Sequence, residues 1–407
     1  MNTVGSKKRV LVLTSTFPRW KGDSEPPFVF ELSRRLSEDF DVLVLAPHAN
    51  GAKRLEHMDG IEVMRFRYFF PQWEKLAYEG GILANLKKNR WCYLLLPFFF
   101  IAQVVALLRI LRKQKVDLIH AHWLIPQGLS VAIAGHLVKS LPPVICTSHG
   151  GDLMGLNGWV LRPIKRWAIR CSSLITLVSH AMVAHAHALG ARPDRIHVVS
   201  MGVDTGTLFE PNPDTLRVNT ELLSVGRLVE KKGTAYLIDA LPEILRHQPD
   251  IHLSIVGDGP LAETLKRQVN GLDLSHAVTF YGAVNNVDLP AFYQRATIFI
   301  APSVVTAQGD QEGLGLVLIE AMACECPVVV SDLPAIHDVV SHGRTGWFVP
   351  QKSHEEIAEA VLMLLRKPNV RNQLGKNGRN HVTRNFDWAT VAERYAVLFN
   401  KVIRIRA

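Results

Sequence analysis

The stretch GDQEGLGLVLIEAMACECPVVVSD, residues 309–332, carries the pattern of a helix followed by a strand. From Leu314 the residues suit a helix, and Pro327 cannot continue one because it lacks the backbone N–H. Val328–Val330 then form an all-apolar, β-branched run closed by Ser331 and Asp332. A helix that feeds a continuously apolar strand is the repeating unit of a parallel sheet covered on both faces. Gly313 and Gly315 let the backbone ahead of the helix approach a ligand closely. Carboxylates flank that start, Glu312 in the loop and Glu320 about two turns into the expected helix.

The same pattern extends in both directions. RVLVLTS, DVLVLAP, IEVMRFR, VDLIHAH, PVICTSH, LITLVS and IHVVSM read as strands of the first half. ELLSVG, IHLSIVG, VTFYG, TIFIAP, PVVVSD and GWFVP read as strands of the second. Helical patterns such as FVFELSRRLSED and EEIAEAVLMLLRK lie between most of them. Two rounds of strand–helix alternation predict an α/β protein with two Rossmann-like, doubly wound domains. Residues 202–220, rich in turn formers, are the expected linker. The expected divisions are 1–203, 204–385 and a C-terminal helix over 386–407.

At 407 residues, 48% hydrophobic and 20% charged, the chain is long enough for two folded cores and is not of disordered composition. The N-terminus passes from a basic segment directly into a strand-like run, so no signal peptide is expected. Cys92, Cys146, Cys171, Cys324 and Cys326 form no even framework and no C-x-x-C motif, which fits reduced thiols and a cytoplasmic setting. Charge is uneven. Residues 1–200 hold 26 Lys+Arg and 14 Asp+Glu, a net of +12, whereas residues 201–407 hold 20 and 23, a net of −3. The first half is therefore expected to meet something anionic.

Ligands of open α/β sheets bind at the carboxyl ends of the strands. There, LLSVGRLVEKKG places Arg227 at a strand end and Lys232 five residues on. A guanidinium fork and an ammonium point charge can together grip a diphosphate. The Gly313–Leu316 segment would turn backbone N–H groups and the positive end of a helix toward the same anion. A carboxylate accepts two hydroxyl hydrogen bonds at once, so one of Glu312 and Glu320 can hold a sugar and the other a ribose. Solvated surface cations and a capping glutamate are the plainer alternatives. Three decoys point elsewhere. GDGPLA, 257–262, formally fits a dinucleotide fingerprint, but no ribose-binding carboxylate follows the next strand. His120, His122 and His149 lack a further ligand at metal spacing. Asp39 and Asp41 precede a strand and so sit at the wrong end of the sheet for metal-dependent transfer. No metal and no bound cofactor are expected.

Arg227 with Lys232, then Glu312 and Glu320 in an E-x7-E pattern, resemble the retaining glycosyltransferases of family 4. DLIHAHWLIPQG, TSHGGD, GVD (202–204), LSIVGDGP, VTFYGAV and HGRTGWFVP resemble family segments in the family's order, so the likeness covers nearly the whole chain. It implies the GT-B fold, two Rossmann-like domains facing a cleft, and a UDP- or GDP-sugar as donor substrate. It further implies that Arg227 and Lys232 bind the diphosphate, Glu320 the ribose, Glu312 the donor sugar, and the backbone at Val284 the base. His149 would reach the sugar and acceptor from the first domain, and the C-terminal helix would cross back onto that domain. This sequence departs from the family at three places. The first strand–helix loop has Gly22 rather than a double glycine, Cys326 replaces a usual glycine, and Asp338 a usual glutamate.

Residues 86–115 stand apart. An apolar run over 94–108, shorter than a membrane span, is flanked by seven Lys/Arg, and residues 80–116 hold no acidic residue. Lys87, Lys88, Arg90 and Trp91 are the expected contacts with an anionic membrane surface or a lipid-linked or glycan acceptor, at the inner face of the cell membrane. A role in cell-surface polysaccharide or glycolipid synthesis would follow. An epimerase-like nucleotide-sugar enzyme and a nucleic-acid-binding protein remain as alternatives. The latter lacks any recognisable module, so no nucleic acid is expected.

Overall fold

Near-continuous apolar runs become buried strands in both halves of the chain. The structure, a computed structural model, describes residues 7–23, 25, 27–155, 158–215, 217–218 and 220–406. Part of the stretch read for a leader, residues 1–6, and Ser24 and Pro26 of the first strand–helix loop lie outside them. Two compact units emerge: Met1–Val178 with Met182–Met201 and Val391–Ala407, and Gly202–Thr390 with Ser179–Ala181.

The first unit is built on β1 (Arg9–Leu13), β2 (Asp41–Pro47), β3 (Leu55–Met58), β4 (Ile61–Phe66), β5 (Leu118–His122), β6 (Val144–Ser148), β7 (Leu174–Leu177) and β8 (Ile196–Val198). Their order is β3-β4-β2-β1-β5-β6-β7-β8, parallel throughout except for the β3–β4 pair. The strand order turns back between β1 and β5, the place where such sheets bind ligands. The last helix, Trp388–Arg406, contributes to this unit from Val391 onward. Its Tyr395 and Phe399 are fully buried, with Phe399 edge-on to Phe40 and to His120.

In the second unit β9 (Glu221–Val225), β10 (His252–Val256), β11 (Val278–Gly282), β12 (Ile298–Ala301), β13 (Val328–Ser331) and β14 (Trp347–Val349) form an all-parallel sheet. Its order is β11-β10-β9-β12-β13-β14, so the switch lies between β9 and β12. Leu222, Leu253, Ile300 and Val329 are wholly buried, each worth about 1.5–3 kcal/mol over exposure. The described start of the expected linker docks on the second unit. Val203 pairs with Asp387, and the Thr205 hydroxyl donates to Asp387 Oδ2 at 2.6 Å.

Two helix expectations are corrected. The helix expected from Leu314 runs Leu316–Ala323, because Gly315 takes φ +84°, a left-handed conformation no helix continues. Glu320 thus lies little more than one turn in, not two. The apolar run near residue 100 is also longer than read. Arg90–Lys113 is a continuous 24-residue helical stretch, by length and composition enough to cross a membrane. It nevertheless packs as a domain helix by one face. Phe99, Gln103, Val104, Leu107 and Ile110 are buried, and the Ser130 hydroxyl donates to Gln103 Oε1 at 2.7 Å.

Candidate active site

The carboxyl edge of the second sheet gathers the predicted residues. β9 ends at Val225, Gly226 takes φ +150°, and Arg227 follows with its side chain exposed at the switch point. A Cβ on Gly257 would stand 2.0 Å from Gly226 O, and one on Gly259 2.4 Å from Leu228 O. The glycines of GDGP therefore let the loop after β10 lie flat against the Arg227 loop, where Leu228 N donates to Asp258 O at 2.9 Å. This role, not a dinucleotide turn, explains the fingerprint-like match.

Lys232 closes a 3-10 turn, Glu230–Lys232, and Gly233 follows in the left-handed conformation. A Cβ there would meet Pro302 O at 1.8 Å, so only glycine lets the next helix start against the loop after β12. The Lys232 ammonium donates to Glu312 Oε2 at 2.5 Å. Lys231 reaches Asp310 Oδ1 at 3.1 Å, a contact that sequence reasoning missed. One small pocket is lined by Gly226, Lys232, Ser303, Glu312 and Gly315. Burial alone would raise the Glu312 carboxyl, but the Lys232 ammonium, joined by Lys231 and the Gly313 N–H, outweighs it and holds Glu312 below its ordinary value. Glu312 is thus a fixed anion beside a fixed cation.

Glu320 differs. Burial pushes its carboxyl up from 4.5 to about 7, against the hydrogen bond from Tyr293 and the charge of Lys232. Tyr293 is completely buried and its hydroxyl donates to Glu320 Oε2 at 2.8 Å. The tyrosine fills one lone pair and leaves Oε1 for a ligand. Nothing in the spacing of AFYQRATIF signals this partner. Val284 is half-buried in the loop after β11, two strands from β9 along the same carboxyl edge, roughly 10 Å away by strand spacing. The structure thus brings Arg227, Lys232, Glu312, Gly313, Leu314, Gly315, Leu316 and Glu320 to one edge of one sheet, with Val284 farther along it.

His149 belongs to the first unit, just after β6. Its ring stacks on His122, with Nε2 3.0 Å from His122 Nδ1, and lies against Phe28 and Trp123. Burial lowers His149 to about 3, and His120 likewise. At neutral pH His149 is an uncharged hydrogen-bonding group, not a cation. Beside it Asp152 accepts from Leu124 N and from the Ser148 hydroxyl, both at 2.7 Å. No group of three or more His, Cys, Asp or Glu placed to hold a metal ion occurs among the described residues. The five cysteines are free thiols.

Lys87, Lys88, Arg90 and Trp91 are all exposed on the first unit. Exposed apolar side chains of this unit extend beyond those the sequence suggested. Trp91 is 76% exposed, Phe70 66%, Ile101 63% and Phe98 50%. Phe69 joins Phe70, Trp73 and Phe98 into one aromatic cluster, with centroids 5.3, 6.3 and 5.3 Å away.

The chain resembles known proteins along most of its length. A family model described as Glycosyl transferases group 1 matches residues 209–381, and one described as Glycosyltransferase Family 4 matches residues 27–207. A GDP-mannose-dependent alpha-(1-6)-phosphatidylinositol monomannoside mannosyltransferase of Mycolicibacterium smegmatis is 34% identical over 272 residues, 63% of this chain and 70% of that protein. An N-acetyl-alpha-D-glucosaminyl L-malate synthase of Bacillus anthracis is 24% identical, over 81% of this chain and 86% of its own. Among solved structures, sucrose-phosphate synthase from Thermosynechococcus elongatus superposes with a TM-score of 0.78 at 21% identity, covering 98% of this chain and all of its own. Anabaena HepE in complex with UDP and glucose does so with a TM-score of 0.73 at 19% identity, covering 97% and 100%. Both share the fold, GT-B.

Proposed function

This chain belongs to glycosyltransferase family 4, the group 1 glycosyl transferases, and from that premise we propose a retaining, metal-independent transferase. It moves a sugar from a UDP- or GDP-sugar to a hydroxyl of a lipid-linked or glycan acceptor. The carrying observation is the Lys232–Glu312 pair at 2.5 Å beside strand-end Arg227. In this reading the cation serves the diphosphate and the neighbouring anion the sugar. The name of the mycobacterial relative, with its GDP-mannose donor and phosphatidylinositol-bearing acceptor, supports this donor class and a lipid-linked acceptor.

In this reading the acceptor oxygen bonds to the anomeric carbon on the face from which the diphosphate leaves. The carbon–oxygen bond to the diphosphate breaks, and the acceptor proton passes to the departing phosphate oxygen. Arg227, Lys232 and the N–H groups of Gly313–Leu316 are preorganised for the charge that grows on that phosphate, so they act on the transition state more than on the bound donor. Glu312 orients the sugar, Glu320 the ribose and the Val284 backbone the base. Neutral His149 serves as a hydrogen-bonding partner for the sugar or acceptor on the first unit.

A thermal-shift screen of nucleotide sugars tests the donor, since ligand at 100 times its Kd stabilises by about 2.7 kcal/mol. NMR of the product, formed with and without EDTA, tests the rest. The expected result is one stabilising UDP- or GDP-sugar, an unchanged rate in chelator, and retention of the anomeric configuration. Inversion, or activity lost in EDTA and restored by a divalent ion, contradicts the mechanism. Product formation without an acceptor favours an epimerase-like enzyme.

A further inference from the structure

The second sheet has a polar groove at the edge opposite Arg227. The turn over 341–345 precedes β14 and so lies at the amino edge, while the residues assigned to the donor lie at the carboxyl edge. The groove opens between this turn and the 19-residue helix Pro368–Phe386. The helix offers positions 377, 380, 381, 384 and 385, which share one face. Every lining side chain is polar, and none is a carboxylate.

Arg344 comes from the turn and Arg384 from the helix, both exposed, and no ion pair holds either guanidinium among the described residues. Asn380 and His381 stand between them on the helix face. The turn is fixed in place. Asn377 Nδ2 donates to Arg344 O at 2.9 Å, and helix and turn approach so closely that a Cβ on Gly378 would lie 3.2 Å from Thr345 O. The surrounding charge is one-sided. Residues 360–386 contain six Lys/Arg and no Asp/Glu, within a half-chain whose net charge is −3.

Two free guanidinium forks with the Asn380 amide and the His381 ring beside them match a tetrahedral oxyanion. No Trp, Tyr or Phe lines the groove to stack on a sugar ring or base, and no apolar side chain lines it to enter a bilayer. We propose that this groove is a second anion site, separate from the donor site, that binds the phosphate group of a small soluble ligand. Inorganic phosphate and a phosphorylated sugar share the required chemistry.

The test is calorimetric titration of the full chain with inorganic phosphate and with a hexose 6-phosphate, the donor site first saturated with nucleoside diphosphate. Wild type is expected to bind at least one. Arg344→Gln and Arg384→Gln are each expected to weaken that binding about tenfold, the cost of one hydrogen bond to a charged group, with the donor KM unchanged. Equal affinity for both probes identifies phosphate alone as the ligand, and tighter hexose phosphate adds the sugar. No binding by wild type, or unaltered binding in both variants, overturns the proposal. If Arg384→Gln folds poorly, Arg344→Gln on the exposed turn carries the test alone. An unchanged donor KM separates failure of this site from failure of the glycosyltransferase reading.

Discussion

Glu320 is a carboxyl that the fold keeps against its own preference. Its folded value, about 7, lies above the ordinary 4.5 because burial disfavours the charge. Between these values the native state holds a proton that the unfolded chain has lost, so stability falls as pH rises through that window and stays reduced above it. The full shift corresponds to about 3 kcal/mol, an upper figure for a half-buried group. Glu320→Gln removes the charge and keeps an acceptor for the Tyr293 hydroxyl. The variant is therefore expected to match wild type near pH 4.5 and to melt several degrees higher at pH 8, read by thermal denaturation across that range. Nucleoside diphosphate binding should weaken in the same variant, and wild-type affinity should rise between pH 6 and 8 as the carboxylate forms. A variant equally or less stable at pH 8 would show that the charge is not strained. The E-x7-E spacing made Glu312 and Glu320 legible in the sequence. Tyr293 was not, because a partner 27 residues away becomes a neighbour only when the helix Leu289–Arg295 packs beside Leu316–Ala323.

All thirteen strands read from apolar runs form, and central ones such as β5, β6, β9 and β13, buried throughout, carry a signal that needs no partner to interpret. The strand that was missed, β3, is the four-residue antiparallel edge LEHM, whose alternating exposed residues resemble a loop. Helix starts were less legible. The left-handed Gly315 shortened one helix, and a Cβ there would crowd Leu318 and Ile336 at 3.0 and 3.3 Å, neighbours that the sequence does not display. The same holds for GDGP, whose glycines serve a neighbouring loop instead of a phosphate. Gly257→Ala tests that assignment. Its Cβ would strike the Gly226 carbonyl at 2.0 Å, and alanine is also strained at φ +133°. The variant is expected to lose several kcal/mol of stability and to displace Arg227, lowering turnover at least 10²-fold where it still folds, as loss of an oriented charge donor does. A folded variant with normal kcat would detach the GDGP loop from Arg227.

Across the whole chain the net charge of +12 in residues 1–200 coincides with the uncovered aromatic surface. Lys87, Lys88 and Arg90 border Trp91, while Phe69, Phe70, Trp73 and Phe98 form one cluster. Monomeric proteins rarely expose apolar patches of this kind unless the patch is a binding surface. Cations beside aromatics are the composition of an interfacial membrane contact, which fits a lipid-linked acceptor at the inner face of the membrane. The two components have different signatures. Each Lys or Arg near an anionic surface contributes about 1 kcal/mol and is screened by salt, whereas aromatic insertion is not. Wild type is thus expected to co-sediment much more strongly with anionic than with neutral vesicles at low salt, and to keep at 0.5 M salt only the weaker, charge-independent part of that binding. Reversing Lys87, Lys88 and Arg90 to Glu should abolish the low-salt preference for anionic vesicles. Trp91→Ser with Phe98→Ser should remove the salt-resistant fraction and leave the preference intact. Both variants alter exposed side chains, so donor KM should not change in either. Absent binding would leave the patch without a membrane and make a soluble acceptor the better reading, whereas binding that ignores vesicle charge would remove the cations from the contact.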